Sequence, residues 1–222
     1  MTSGGGRAGT KGVPRRQREQ QILDVATTEF GRKGYANASL AVIAAAAGVS
    51  KPLIYSYFGS RDGLHAACVD RAGTVLVDAV ARAQHARGVG GRAIATLSGI
   101  IDAIDGRTED WTIIFDATLP RPSGAHSRAK TYRDALNTMG RDGVADILGT
   151  SDAASEVDRS LVVSWWFSIV STTIAWWADH PEVTAEEMTD RCRRLLTVVQ
   201  RPAHPSTAPD PVATSTENAS PT

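Results

Sequence analysis

The residues able to do chemistry in this chain fall into one cluster and a scatter. The five histidines are scattered, and no Ser/His/Asp, Cys/His or paired-carboxylate set stands out, so bond-making catalysis has no visible nucleophile and base. His126 and His180 fall in separate loops without ligand spacing, so no metal site is expected, and no cofactor. Cys68 and Cys192 each sit on an apolar helical face and read as small core residues. The cluster is Ser39–Arg61. It packs hydroxyls, phenols and cations into a short stretch: Ser39, Ser50, Lys51, Tyr55, Ser56, Tyr57 and Arg61. Such groups donate hydrogen bonds and pair with anions.

The elements around that cluster explain its spacing. Residues 39–58 read SLAVIAAAAGVSKPLIYSYF. Ser39 caps a first short helix in which Ile43, Ala44 and Ala47 share a face. Gly48 leaves that helix through a left-handed conformation, and Val49 is the buried peg of the turn. Ser50 caps a second helix, with Pro52 in its first turn where a missing N–H costs nothing. Ile54 and Phe58 point to the core, four residues apart. Lys51, Leu53, Ser56 and, at the edge, Tyr55 and Tyr57 are left outward. Small Ala44 and Gly48 let the two helices cross closely. This is a helix-turn-helix layout, whose second helix fits a DNA major groove.

The flanks sharpen the reading. The block Ile22–Leu64 carries ILDVATTEFGRKGY, then SLAVIAAAAGVSKPLIYSYF, then SRDGL. In these pieces it closely resembles the DNA-binding domain of the tetracycline-repressor (TetR) family of bacterial regulators. The resemblance covers roughly the first third of the chain. It implies an all-α, nine-helix protein in which helices 1–3 and the start of helix 4 bind DNA. Helices 5–7 would surround a ligand cavity, and helices 8 and 9 of two chains would form a four-helix dimer interface. Arg61 stands where the family typically has a Lys that meets a phosphate. Lys51, Tyr57 and Arg61 are thus expected on phosphates, with Ser39 and Ser50 as hydroxyl donors near the backbone and Pro52 beside them. Leu53, Ser56 and Ala41 are the candidates to read bases, and Tyr55 a phosphate or a base edge. No Arg, Asn or Gln faces outward on the second helix of the motif, so methyl contacts and DNA shape carry more of the specificity.

Charge agrees with a one-ended contact. Formal net charge is zero, yet residues 1–61 hold 9 Lys and Arg against 3 Asp and Glu, and residues 62–222 hold 15 against 21. The expected domains are a disordered basic arm (1–14), the DNA-binding domain (15–64), a ligand-binding and dimerisation domain (65–200) and a disordered tail (201–222). Arg7, Lys11, Arg15, Arg16 and Arg18 form the basic arm and its continuation. The run Gly88, Val89, Gly90, Gly91, Arg92, Ala93 matches a dinucleotide fingerprint formally, but a helix rather than a strand precedes it, so it reads as a helix break.

Further helices are expected at about 15–33, 60–86 (Leu64, Cys68, Val75, Leu76 and Val80 inward), 94–104, 111–118, 123–148, 161–178 and 184–200. Trp111, Phe115, Tyr132, Leu136, Met139 and Trp166 are the expected cavity lining, with Ile114, Trp165 and Phe167 also available to it, which suits a hydrophobic or planar organic effector. Residues 161–178, LVVSWWFSIVSTTIAWWA, lack any charge. That length reaches a membrane span, but five Ser and Thr interrupt it and no second span exists, so it reads as a helix buried on nearly every side. No secretory signal is visible, so the expected site of action is cytoplasmic. The function these features imply is a homodimeric regulator binding a palindromic double-stranded operator, a repressor released by a small-molecule effector, with no membrane. The alternatives are an architectural or ligand-independent DNA-binding protein and, behind it, a small-molecule enzyme on a helical scaffold.

Overall fold

The computed structural model describes residues 13–86, 88–148 and 156–200. The glycine-rich arm with Arg7 and Lys11, Gly149 and the tail after residue 200 lie outside the described residues, as do the side chains of Val144, Ile147, Leu148 and Val199. Among the described residues there are nine helices and no strand: α1 Arg15–Asn37, α2 Leu40–Ala46, α3 Lys51–Phe58, α4 Arg61–Ala83, α5 Val89–Ala103, α6 Glu109–Ile114, α7 Gly124–Leu148, α8 Glu156–Ala178 and α9 Ala185–Gln200.

The local signals act as expected at the front. Gly34 breaks α1 with φ 72°, and Tyr35 folds back to stack on Phe30, ring centroids 6.1 Å apart. Ser39 accepts from the Ala41 N–H at 3.3 Å, Ser50 from Leu53 at 3.3 Å, and Ser60 from Gly63 at 2.9 Å. Each hydroxyl satisfies an orphan donor of a helix start. Gly48 has φ 64° and turns the chain so that α2 and α3 cross at 100°. Ile22, Phe30, Ile43 and Ile54 close the core between them.

α4 is the axle of the fold, packed on α1, α5, α6 and α7. Its buried face runs through Leu64, Cys68, Val69, Ala72, Leu76 and Val80, a helical period along one side. Gly73 admits the ring of Tyr132 from α7: a Cβ there would lie 2.3 Å from it. α5 packs on α9, and α7 on α8.

Several boundaries differ from expectation. α4 ends at Ala83, and α5 begins inside the glycine run, at Val89, so the break is confined to a few residues. α6 stops at Ile114 rather than near Thr118. Asp116 draws the following chain into a turn, its Oδ1 accepting from the N–H and hydroxyl of Thr118 at 2.7 Å each. α8 begins five residues early, where Glu156 and Asp158 suit the positive end of the helix dipole.

α8 is also not buried all round. It buries Val163, Val170, Ile174 and Trp177 but exposes Leu161, Trp165, Ile169 and Trp176. It is long and apolar enough to cross a membrane. The apolar exposure, however, runs down one side, as a seam for another helix does.

Candidate nucleic-acid interface and ligand cavity

The helix-turn-helix places the front cluster as the sequence spaced it. Lys51, Pro52, Tyr55 and Ser56 are exposed on α3, Leu53 and Tyr57 are half-buried, and Ala41 is exposed on α2. Ser50 is exposed at the start of α3, and Ser39 is half-buried. Ser39 is fixed twice, since its own N–H donates to Glu29 Oε1 at 3.0 Å. Ser56 Oγ donates to Leu53 O at 2.8 Å. Its proton is thus spent on the helix, and its lone pairs remain to accept from a base amino group. The Arg15 guanidinium lies 5.1 Å over the Tyr57 ring, bringing a cation from the start of α1 beside α3.

Two cations behave differently from expectation. Arg18 does not belong to a free basic arm: it is 7% exposed and donates to Gln21 at 3.1 Å. Arg61 is turned away from the α3 surface. One of its guanidinium nitrogens donates to Tyr35 O and, at 2.8 Å, to Ala38 O, and the group lies 4.8 Å over the Tyr35 ring. In this position it ties down the end of α1 and does not reach outward to a phosphate.

Next to Arg61 in sequence, Asp62 points the other way. Its carboxylate accepts from the Gly124 and Ala125 N–H groups at 3.1 and 3.3 Å, so it caps α7. His65, one turn further along α4, is fully buried, edge-on to Phe30 at 4.6 Å and to Tyr35 at 5.2 Å. Neither ring nitrogen has a hydrogen-bond partner among the described residues. Burial pushes its pKa down to about 4; Asp116 and Asp62 oppose that shift, and Arg61 adds to it. The spacing 65, 69, 72, 76 placed His65 on the buried stripe, a signal that was available in the sequence.

Behind this head lies a cavity of about 220 Å³ between the end of α4, α5, α7 and α8. Six of the expected lining residues reach it: Trp111, Leu136, Met139, Trp165, Trp166 and Phe167. Ile114, Phe115 and Tyr132 do not. Phe115 stands behind the wall, stacked on Trp111 with centroids 4.5 Å apart. Tyr132 points at α4, its hydroxyl 3.3 Å from Thr74 Oγ1. The sequence reading missed Gln84, Arg92 and Thr96, and also Gly140 and Gly143, whose missing side chains leave room. Thr96 and Ile100 share one face of α5 at a spacing of four, which marks the polar position as inward.

α6 touches both regions. Trp111 lines the cavity, its indole N–H donating to Ser171 Oγ at 3.3 Å. Glu109 pairs with Arg32 at 2.7 Å, and Asp116 accepts from the Tyr35 N–H at 2.6 Å. Gly31 lets α1 approach α6 closely; a Cβ there would meet Glu109 Cβ at 2.5 Å. Nearby Asp110 is fully buried, paired with Arg107 at 2.7 Å, and burial raises its pKa. Among the described residues no group of three or more His, Cys, Asp or Glu converges. A second, wider groove of about 700 Å³ separates α8 from α9, walled by Ile169, Thr172 and Trp176 on one side and Met188, Arg191 and Leu195 on the other.

Residues 22–68 match the family model described as bacterial regulatory proteins, tetR family. A curated relative, the HTH-type transcriptional activator FasR of Mycolicibacterium smegmatis, is 27% identical over 180 residues, 80% of each chain. A TetR-like transcriptional regulator from Rhodococcus sp. RHA1 has a similar structure: TM-score 0.60, 25% identity, 86% of this chain and all of that one. FadR of Bacillus subtilis, crystallised with stearoyl-CoA, shares the fold at TM-score 0.56 and 14% identity, covering 80% of this chain and 96% of its own.

Proposed function

The chain belongs to the tetR family of bacterial regulatory proteins and is a DNA-binding transcriptional regulator; from that premise we propose that it works as a cytoplasmic homodimer, reads a palindromic operator and is released from it by an apolar effector. The observation that carries this reading is the serine-capped pair α2 and α3, crossed at 100°, with Lys51, Tyr55 and Ser56 exposed on α3. Residues 15–64 are the DNA-binding unit and residues 65–200 the effector and dimer unit.

Lys51 and Tyr57 meet phosphates, with Arg15 braced against Tyr57 at their side. Ser39, Ser50 and Pro52 lie along the backbone, and Arg61 acts from behind by holding the end of α1. Ala41, Leu53, Tyr55 and Ser56 face base edges. A single short helix reads too few bases, so two copies read half-sites about 34–36 Å apart. The seam that pairs them is Leu161, Trp165, Ile169 and Trp176 on α8 with Leu195 on α9, all exposed in the single chain. A stable pair needs over roughly 1,000 Å² of interface, and apolar area contributes about 25 cal/mol per Å².

The effector occupies the cavity behind α6. Trp111, Leu136, Met139 and Trp166 give it an apolar, aromatic wall, and the acyl ligand of FadR supports an effector with a long apolar body. A molecule seated against Trp111 shifts α6. Through Glu109 and Asp116 that shift reaches α1 and with it the spacing of the two α3 helices. The competing reading, a DNA-binding protein that ignores small molecules, has the same head.

The test is fluorescence anisotropy on fragments of the promoter region beside the gene. Wild type binds one fragment far more tightly than unrelated DNA. The Lys51→Ala, Tyr57→Phe double variant loses affinity equally on all fragments and has a shallower salt dependence. Equal affinity for every fragment would refute the operator reading, and an unchanged double variant would refute the two phosphate roles.

A further inference from the structure

The outer surface of the helix-turn-helix lacks the donors by which guanine is usually read. α2 and α3 together hold one cation, Lys51, and no Arg, Asn, Gln, His or carboxylate. Every side chain of α2 is apolar, and Ala41 and Val42 are exposed on it. On α3, Ile54 faces the core at 1% exposed. Each residue turns a helix by about 100°, so exposed Ser56 lies almost opposite Ile54. Leu53, half-buried and one turn before Ser56, shares that outermost face. Arg61, the arginine that follows α3, donates inward to Tyr35 O and Ala38 O. Arg15 lies over the Tyr57 ring, at the edge of α3 rather than on this face.

In the major groove guanine shows two acceptors, O6 and N7, and paired donors read it. The Leu53–Ser56 face has none to give. Leu53 is hydrocarbon, and the Ser56 hydroxyl donates its proton to Leu53 O at 2.8 Å. That carbonyl also sets the direction of the serine lone pairs, so an acceptor is aimed before DNA arrives. The face therefore offers an apolar contact and, one turn on, an acceptor. Their complements in the groove are the 5-methyl group of thymine and the exocyclic amino group of adenine or cytosine. We infer that α3 reads each half-site through a thymine methyl packed on Leu53 and a base amino group donating to Ser56 Oγ, and that it leaves guanine unread. This rests on the operator reading proposed above and names the base chemistry that the operator must present.

The experiment selects a preferred duplex from a pool with a randomised centre, using the full chain, and measures its affinity by fluorescence anisotropy. The duplex is then remade with deoxyuridine for thymidine, one symmetric pair of positions at a time, which removes only the methyl. A separate set carries 7-deazaguanine, which removes the N7 acceptor. At one position per half-site, uracil weakens binding by about fourfold for each half and about fifteenfold for both. 7-Deazaguanine changes affinity by less than about twofold at every position, as no paired donors are lost. These substitutions alter the DNA alone, so the folding of a protein variant does not enter.

Leu53→Ala binds the thymine and uracil forms equally at that position and keeps the salt slope of wild type, because a methyl contact releases no counterion. The selection repeated with Ser56→Ala loses its preference at one position per half-site, and the base that wild type prefers there, adenine or cytosine, identifies the amino donor. Melting curves confirm that both variants are folded. Uracil without effect at every position, or a Leu53→Ala chain that still separates thymine from uracil, overturns the methyl contact. A tenfold loss with 7-deazaguanine, or a preference for guanine or thymine at the position that Ser56 controls, overturns the rest. Each of these leaves the operator standing, whereas a pool that yields no preferred duplex overturns the operator and this inference together.

Discussion

Arg61 offers the sharpest test, because its charge and its geometry assign it different work. Replacement by Ala removes the guanidinium from Tyr35 O and Ala38 O and lifts it off the Tyr35 ring. A hydrogen bond from a charged donor contributes about 1.5–3 kcal/mol net. One nitrogen serves both carbonyls, and the side chain is half-buried, so the lower end applies, with ~0.5–1 kcal/mol for the ring contact. The expected loss is about 2–2.5 kcal/mol, or about 4–10 °C in melting temperature for a chain of this size.

Urea denaturation reads the stability, and operator binding across a salt series reads the counterions. A phosphate contact in each half of a dimer would take about 1.8 from the slope of log affinity against log salt when lost. The geometry predicts a slope within about 0.5 of wild type, with affinity lowered evenly at every salt concentration. Arg61→Lys keeps the charge but not the flat fork, and recovers under half of the lost stability. A slope reduced by nearly two, with stability unchanged, would refute the inward role and restore Arg61 to the phosphates.

Other consequences are as direct. Trp176→Glu with Leu195→Glu should convert the dimer to a monomer in analytical ultracentrifugation and abolish operator binding while helicity is kept; a dimer that survives would move the seam elsewhere. His65 is neutral when folded, with its pKa lowered to about 4 from 6.5. The unfolded chain therefore binds the extra proton first, and its stabilising contribution is complete above pH 6.5 and lost as pH falls toward 4. The ceiling is about 3 kcal/mol, and His65→Leu should flatten the urea-midpoint profile between pH 6.5 and 4.5. Gly73→Ala should cost about 1–3 kcal/mol by driving a methyl into the Tyr132 ring. In a Tyr132→Ala background that penalty should vanish, and its persistence would mean the helices are kept apart by something else.

The head of the molecule was legible because its signals are local. Three serines and a glycine at fixed offsets set the ends of α2, α3 and α4, and each is satisfied within three residues of itself. The cavity was half legible. Periodicity says that Tyr132 and Leu136 point inward but not at what, and Tyr132 met a glycine on α4 while Leu136 met open space. Arg61 could not be read at all, since its type fits a phosphate and a pair of carbonyls equally, and only the path of α1 decides. The far end of α6 was misplaced for a related reason: Asp116 turns the chain through Thr118, and is itself held by the Tyr35 N–H of α1, some eighty residues away. In α8, composition showed that the helix needs apolar neighbours, but not that its own chain supplies them on one side only.

The first turn of α4 fastens both ways. Arg61 grips the end of α1, Asp62 grips the start of α7, and the helix between them runs on unbroken into the rear of the molecule. The proposed border between the DNA-binding and effector units thus falls inside one continuous helix and has no flexible tether. A protease has no loop there to cut, and a fragment ending at Leu64 would lose Cys68 and Val69 from the floor beneath α1. The head cannot pivot by itself. Under the proposed mechanism, whatever reorients it carries α4 along.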